Sequence, residues 1–258
     1  MKNIFFLCSL PRAGNTLLGS IINSNNNIKM TPNSLGPEIL FNLVKIKQTE
    51  MFINFPKHSS IDNLIKSSLF KYYEDWNVDT IIDRSVWGTP GNLPTIQSIF
   101  NKPKFIVLLR PLLECICSFA KLEIDAKKIK KENITPFVDE LMNFDKGIVG
   151  KSIWSIQNLM DNNKDNVKVF YYKDLVTNTD NFLNQLSDYI GVKIKMPKKL
   201  EQFNIDGTYY DDRNHTKNLH KINTGPMHYV EYDFEKYLTK DVIKKYKNFE
   251  KLNEHFNT

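Results

Sequence analysis

Two groups of residues in this chain have the types and spacing to hold an anion. The first is Ser9-Leu-Pro-Arg-Ala-Gly-Asn-Thr-Leu17, between the apolar run Ile4 to Cys8 and a second one through Leu17, Leu18, Ile21 and Ile22. A buried strand, a tight glycine turn and an amphipathic helix aim the first-turn N–H groups of the helix at a negative charge. Against the nucleotide loop G-x-x-x-x-G-K-[ST], Gly14 and Thr16 hold their places, while Ser9 replaces the first glycine and Asn15 the lysine. The positive charge stands inside the loop instead, at Arg12. A loop without that lysine suits an ATPase or GTPase poorly, but its amides and Arg12 still suit a phosphate or sulfate.

The second group is Arg110, after the apolar run Phe105–Leu109, and Ser118, eight residues further on. Eight residues are a little over two helical turns, so the hydroxyl returns to the face on which the helix begins. An arginine at a strand end and a hydroxyl on the next helix can grip one phosphate from two directions. A third polar strand end is Asp83-Arg84-Ser85. Ligands of open parallel sheets lie beyond the carboxyl ends of the strands, where all three groups fall.

Pro11 to Leu18 and Leu108 to Ser118 together resemble, in order and spacing, the two nucleotide signatures of the PAPS-dependent sulfotransferases (PAPS is 3′-phosphoadenosine 5′-phosphosulfate). The resemblance extends to Val169–Leu175, similar to that family's strand carrying a tyrosine near the adenine, and to Leu219–Gly225, similar to its late basic loop. It implies a sulfuryl transfer from PAPS to a hydroxyl or amine, leaving PAP and needing no metal. Arg12 would meet the bridging oxygen and the transferring group. The amides of Ala13, Gly14, Asn15, Thr16 and Leu17 would cradle the 5′-phosphate, with the Thr16 hydroxyl adding a bond. Arg110 and Ser118 would hold the 3′-phosphate, Tyr172 would lie by the adenine, and His220 and Lys221 would close over the nucleotide.

The general base is where the chain departs from that pattern. Cytosolic members carry Lys-Thr-His near the strand end where this chain has Asp83-Arg84-Ser85; other branches use a glutamate placed about where Pro32-Asn33 fall. Asp83 and Glu38 are therefore the candidate bases, with Arg84 as a stabiliser of the sulfuryl group. Asp83 can equally pair with Arg84 or cap a turn, and Glu38 can equally be a first-turn partner of a helix dipole. Trp87, Tyr209 and Tyr210 are candidates to line an acceptor pocket. Two rival readings remain: a small ATP- and Mg²⁺-dependent kinase, and a nucleotide-binding module without catalysis. The kinase leaves the Arg110–Ser118 spacing unexplained.

The elements that must position these residues alternate strand and helix, which predicts an α/β fold of the P-loop type, three layers with a central, mostly parallel sheet. Strands are expected at residues 4–8, 28–30, 80–82, 105–109 and 167–172. Helices are expected at 15–23, 36–47, 61–76, from Pro111 past Ser118, 135–162, 175–190 and 239–256. Residues 193–229 read as long loops. The 258 residues suffice for one domain, 1–258, with lids rather than a second domain.

Composition is that of an ordinary globular protein, 41% hydrophobic and 25% charged, and the formal charge of +6 favours an acidic ligand. The lysine runs read as solvated helix faces, so charge gives no reason to expect nucleic acid as a partner. Cys8, Cys115 and Cys117 have no disulfide or metal spacing and are expected as buried thiols in a reducing, cytoplasmic setting. The apolar start lacks a cleavage site and reads as a core strand rather than a signal peptide, and no stretch is long enough to span a membrane. Oligomeric state and acceptor identity are not written in these patterns.

Overall fold

The first apolar run forms β1 (Asn3–Ser9), buried at all but its first residue, and the run before Arg110 forms β4 (Phe105–Leu109), buried throughout. Successive strand side chains point to opposite faces, so unbroken burial requires cover on both sides of the sheet. In the computed structural model, which describes residues 2–202, 204–205, 208–209, 222 and 225–247, helices supply that cover. β2 (Ile28–Met30), β3 (Thr80–Arg84) and β5 (Val167–Tyr171) complete an all-parallel sheet of order β2-β3-β1-β4-β5. The fold is α/β, as expected.

β1 lies between β3 and β4, pairing Leu7 with Arg84 on one side and Ser9 with Leu108 on the other. The chain winds from β1 to one edge, returns through β3, and crosses over to β4. Such a reversal opens a crevice at the carboxyl ends of the central strands, where an open α/β sheet takes its ligand. The Ser9–Leu17 loop leaves β1 at that point and enters α1 (Asn15–Asn23). Arg110 and Pro111 leave β4 there and enter α6 (Leu112–Asp125).

The remaining helices are α2 (Gly36–Ile46), α3 (Glu50–Asn54), α4 (His58–Tyr72), α5 (Asn92–Ile99), α7 (Ile134–Leu141), α8 (Ile148–Asn163), α9 (Tyr172–Thr177), α10 (Thr179–Ile190), α11 (Phe234–Tyr237) and α12 (Lys240–Lys247). Several boundaries differ from expectation for local reasons. The helical stretch 135–162 is two helices, α7 and α8. A Cβ on Gly147 would stand 2.3 Å from the Glu140 carbonyl oxygen, and one on Gly150 2.3 Å from that of Met142. Only glycine permits that approach. Helix 175–190 is broken at Asn178, whose φ of −141° and ψ of 51° are not helical. α3 is short but capped, since the Thr49 hydroxyl accepts from the Phe52 N–H. α5 contains Pro94 in its first turn, where a missing N–H costs nothing. Pro111 precedes the helix it was expected to open. In 193–229, β6 (Asn204–Ile205) and β7 (Thr208–Tyr209) form an antiparallel pair.

The core centres on β1 and β4. Phe6 and Trp87 are both fully buried and meet edge to face with ring centroids 5.2 Å apart. Among the described residues no helix is long and apolar enough to cross a membrane.

Candidate functional site

Gly14 determines the shape of the early loop. Its φ of 84° is left-handed, and it serves as N-cap of α1 without offering a side chain to the helix. No acidic residue stands in the first turn of α1 and no side chain caps it, so among the described residues the first-turn amides from Asn15 to Leu17 are open to an external acceptor. Asn15, at the position of the nucleotide-loop lysine, is buried and donates through Nδ2 to the Leu10 carbonyl at 2.9 Å. It braces the loop from within. Arg12 also has a left-handed φ, 65°, uncommon for a residue with a Cβ, and this aims its side chain across the crevice toward α6.

There Arg12 Nε donates to Ser118 Oγ at 3.0 Å, and its guanidinium carbon lies 6.0 Å from the Phe119 ring centroid. The Arg12 carbonyl in turn accepts from Arg110 Nη1 at 2.9 Å. Arg12, Arg110 and Ser118, up to 106 residues apart in sequence, thus form one cluster. Burial draws the Arg12 guanidinium below the usual arginine value, with Arg110 adding to the shift, while Tyr232, Cys115 and Tyr172 oppose it. Two guanidiniums this close need an anion between or beside them.

Part of that anion is internal. Arg110, only 5% exposed, donates from Nε to Glu114 Oε2 at 2.8 Å, in the first turn of α6. Burial lowers the Arg110 value, but the Glu114 hydrogen bond and its neighbours outweigh it and the net shift is upward. The guanidinium packs over Tyr172, 4.3 Å from the ring centroid, and faces Tyr232 at 5.3 Å. Its Nη2 is buried with no hydrogen-bond partner among the described residues. A buried donor left unmet is costly unless a ligand meets it, and its place beside Arg12 and Ser118 fits an anionic group. The Tyr229 hydroxyl donates to the other Glu114 oxygen, tying segment 225–232 onto the same ion pair.

These residues line a cavity of about 1400 Å³ whose walls include Ser9, Arg12, Gly14 to Leu17, Arg84, Ser85, Arg110, Ser118 and Tyr172. Ala13 is fully buried behind it. Arg84 is held at the wall, donating from Nε to Ser9 Oγ at 3.2 Å and from Nη1 to Asn33 Oδ1 at 2.7 Å and to the Pro32 carbonyl.

Asp83 does not share that wall. Adjacent strand residues face opposite sides, and with Arg84 at the cavity Asp83 turns into the core. It is fully buried, accepting from the Tyr73 hydroxyl at 2.6 Å and Trp87 Nε1 at 3.0 Å. Burial pushes its carboxyl up to about 6, against the hydrogen bonds from Tyr73, Ser34 and Trp87. Glu38 is exposed in the first turn of α2, also away from the cavity walls. Glu38 thus takes its alternative place in a helix first turn, while Asp83 takes a structural place other than the Arg84 pair or turn cap considered above, holding Tyr73 and Trp87. Trp87 is buried with Asp83 and does not line the cavity either. The three cysteines are buried, as expected, and burial pushes each thiol up to about 12, unsuited to act as a nucleophile. His220, Lys221, Tyr210 and the side chain of Tyr209 lie outside the described residues.

Several wall residues were not anticipated. Glu123, on α6 beyond Ser118, and His228 are the titratable groups of base type among the described lining residues. The Arg110–Glu114 spacing of four, from just before α6 into its first turn, was a readable signal for the ion pair. Glu123 and His228 offered none.

No family model matches the sequence, and no curated protein matches it. Solved structures do resemble the fold. A mouse sulfotransferase, SULT7A1, crystallised with PAP, aligns over 96% of this chain and 83% of its own with a TM-score of 0.56 at 14% identity. The sulfotransferase domain from the curacin biosynthetic pathway aligns over 76% of each chain, TM-score 0.52, at 19% identity. A sulfotransferase from Alicyclobacillus acidocaldarius covers 83% of this chain and 87% of its own, TM-score 0.51, at 12% identity. A five-stranded parallel sheet with a phosphate-type loop after its central strand, matched across most of the chain to these three proteins, means that this chain has the sulfotransferase fold.

Proposed function

We propose that this protein transfers a sulfuryl group from PAPS to a hydroxyl or amine. The observation that carries the reading is the Arg12–Ser118 and Arg12–Arg110 contact pair, which joins the two sequence signatures into one anion-binding wall. PAP in a neighbour of the same fold adds support.

In this reading the open amides of α1 and the Thr16 hydroxyl take the 5′-phosphate, while Arg110 Nη2 and Ser118 take the 3′-phosphate. Tyr172, already packed on Arg110, borders the adenine. The acceptor oxygen attacks sulfur as the bond from sulfur to the bridging oxygen breaks, and PAP leaves with that electron pair. Arg12 stands where charge grows on the bridging oxygen, an electrostatic role that favours the transition state over the ground state. The acceptor proton passes to a titratable group on the cavity wall, Glu123 or His228. Asp83 and Glu38 do not reach that wall.

Thermal shifts with PAP, 5′-AMP and ATP·Mg test the donor. PAP is expected to stabilise the protein most, and equal shifts from all three would defeat the reading. Labelled PAPS with a panel of acceptors tests turnover, and Glu123→Gln and His228→Gln identify the base by which one abolishes it without weakening PAP binding.

A further inference from the structure

The cavity is larger than the 300–1000 Å³ usual for one small ligand, which leaves room beside a nucleotide. Its second half begins where the Arg12 side chain meets Phe119 and runs outward along α6, α7 and α8. The wall there is apolar, formed by Phe119, Leu122, Phe137, Leu141 and Ile148. Its charged groups are Lys128, Lys146, Lys151 and a single described carboxylate, Glu123. Lys128 is answered by Glu123 at 3.8 Å. Lys146 and Lys151 are exposed and make no ion pair among the described residues.

Their position is mildly unfavourable to the helix whose start they flank. Lys146 and Lys151 bracket the start of α8, whose first turn carries no acidic residue. A cation there opposes the helix dipole, which favours anions at this end. The close glycine packing of α8 on the end of α7 sets the two lysines, although exposed, at the rim of the cavity. An apolar wall leading to two unanswered cations complements one kind of molecule.

Resting on the sulfotransferase reading, we propose that the acceptor is an amphipathic acid, with its hydroxyl or amine near Arg12, an apolar body along α6 and α7, and a carboxylate or phosphate at Lys146 and Lys151. A free sugar would leave the apolar wall unmet. A neutral phenol or alcohol would leave the lysines unmet.

Calorimetry with 12-hydroxydodecanoate and 1,12-dodecanediol, which share an apolar body and hydroxyl but differ in charge, tests this in wild type and in the Lys146→Gln/Lys151→Gln variant. Each probe is titrated with and without PAP. The acid is expected to bind about tenfold more tightly than the diol at low salt, with the gap narrowing as salt is added. In the double variant the acid should fall to the affinity of the diol, with the diol and PAP unchanged. Equal binding of the two probes, binding of neither, or a preference that survives in the double variant would overturn the proposal. PAP titrated alone reports separately on the donor reading, and the nucleotide-free titrations still judge the acid preference if PAP fails to bind. Both lysines are exposed, so the variant is expected to melt with wild type.

Discussion

Gly14 lies directly beneath Tyr172: a Cβ on Gly14 would stand 2.6 Å from Tyr172 Cδ2 and 2.8 Å from Cε2. The loop after β1 and the helix after β5 are therefore in contact across the carboxyl edge of the sheet, with the Arg110 guanidinium carbon 4.3 Å from the centroid of the same ring. Gly14→Ala meets both a left-handed φ and this contact, and should destabilise by roughly 1–3 kcal/mol. Chemical denaturation measures the loss, and PAP binding should weaken with it. A variant as stable as wild type would mean the loop has another geometry.

Arg110→Ala leaves Glu114 buried without its cation. Removing one partner of a buried pair costs on the order of 3–5 kcal/mol, much of it the penalty on the group left behind. The Arg110→Ala/Glu114→Ala variant should recover a large part of that stability while still failing to prefer PAP over 5′-AMP. Comparing the two by denaturation and thermal shift separates the structural share of Arg110 from its proposed ligand share.

Asp83 carries a pH signature. Its folded value, about 6, lies above the ordinary carboxylate value of 3.8. Between these values the folded protein holds a proton that the unfolded chain has released. Stability from this group is therefore full below about pH 4, declines as pH rises through 6, and is flat above, a loss on the order of 3 kcal/mol. Asp83→Asn should remove that slope and equal or exceed wild-type stability at pH 7. With Asp83 in a structural place, the variant should also keep its turnover; a folded variant without turnover would restore Asp83 as the base.

Arg12→Lys keeps a cation but loses the Nε bond to Ser118. On the proposed placement of Arg12 at the bridging oxygen, kcat should fall about 100-fold or more, with PAP affinity changing less than tenfold. Equal losses in both would assign Arg12 to ground-state binding alone.

Much of this molecule was legible in its residues because the signals were local. Phe105–Leu109 is an unbroken apolar run and Ile28–Met30 a short apolar–polar alternation after a turn cluster, and each forms the strand expected. The Gly14 turn between strand and helix, and the spacing from Arg110 to Ser118, are short-range patterns that survive any packing. Helix breaks were less legible: the α7–α8 junction depends on Gly147 and Gly150 meeting the carbonyls of another helix, a contact between segments that periodicity does not contain.

What tertiary structure alone decided is which way the polar groups face. Asp83 and Arg84 are neighbours in sequence, yet strand alternation and the Trp87–Tyr73 core send one carboxylate inward while its neighbour reaches the cavity. Glu123, Lys146 and Lys151 carry no local mark of a site. They belong to one because α6, α7 and α8 pack around the same crevice, and the free energy that sets that packing comes from apolar contacts far apart along the chain.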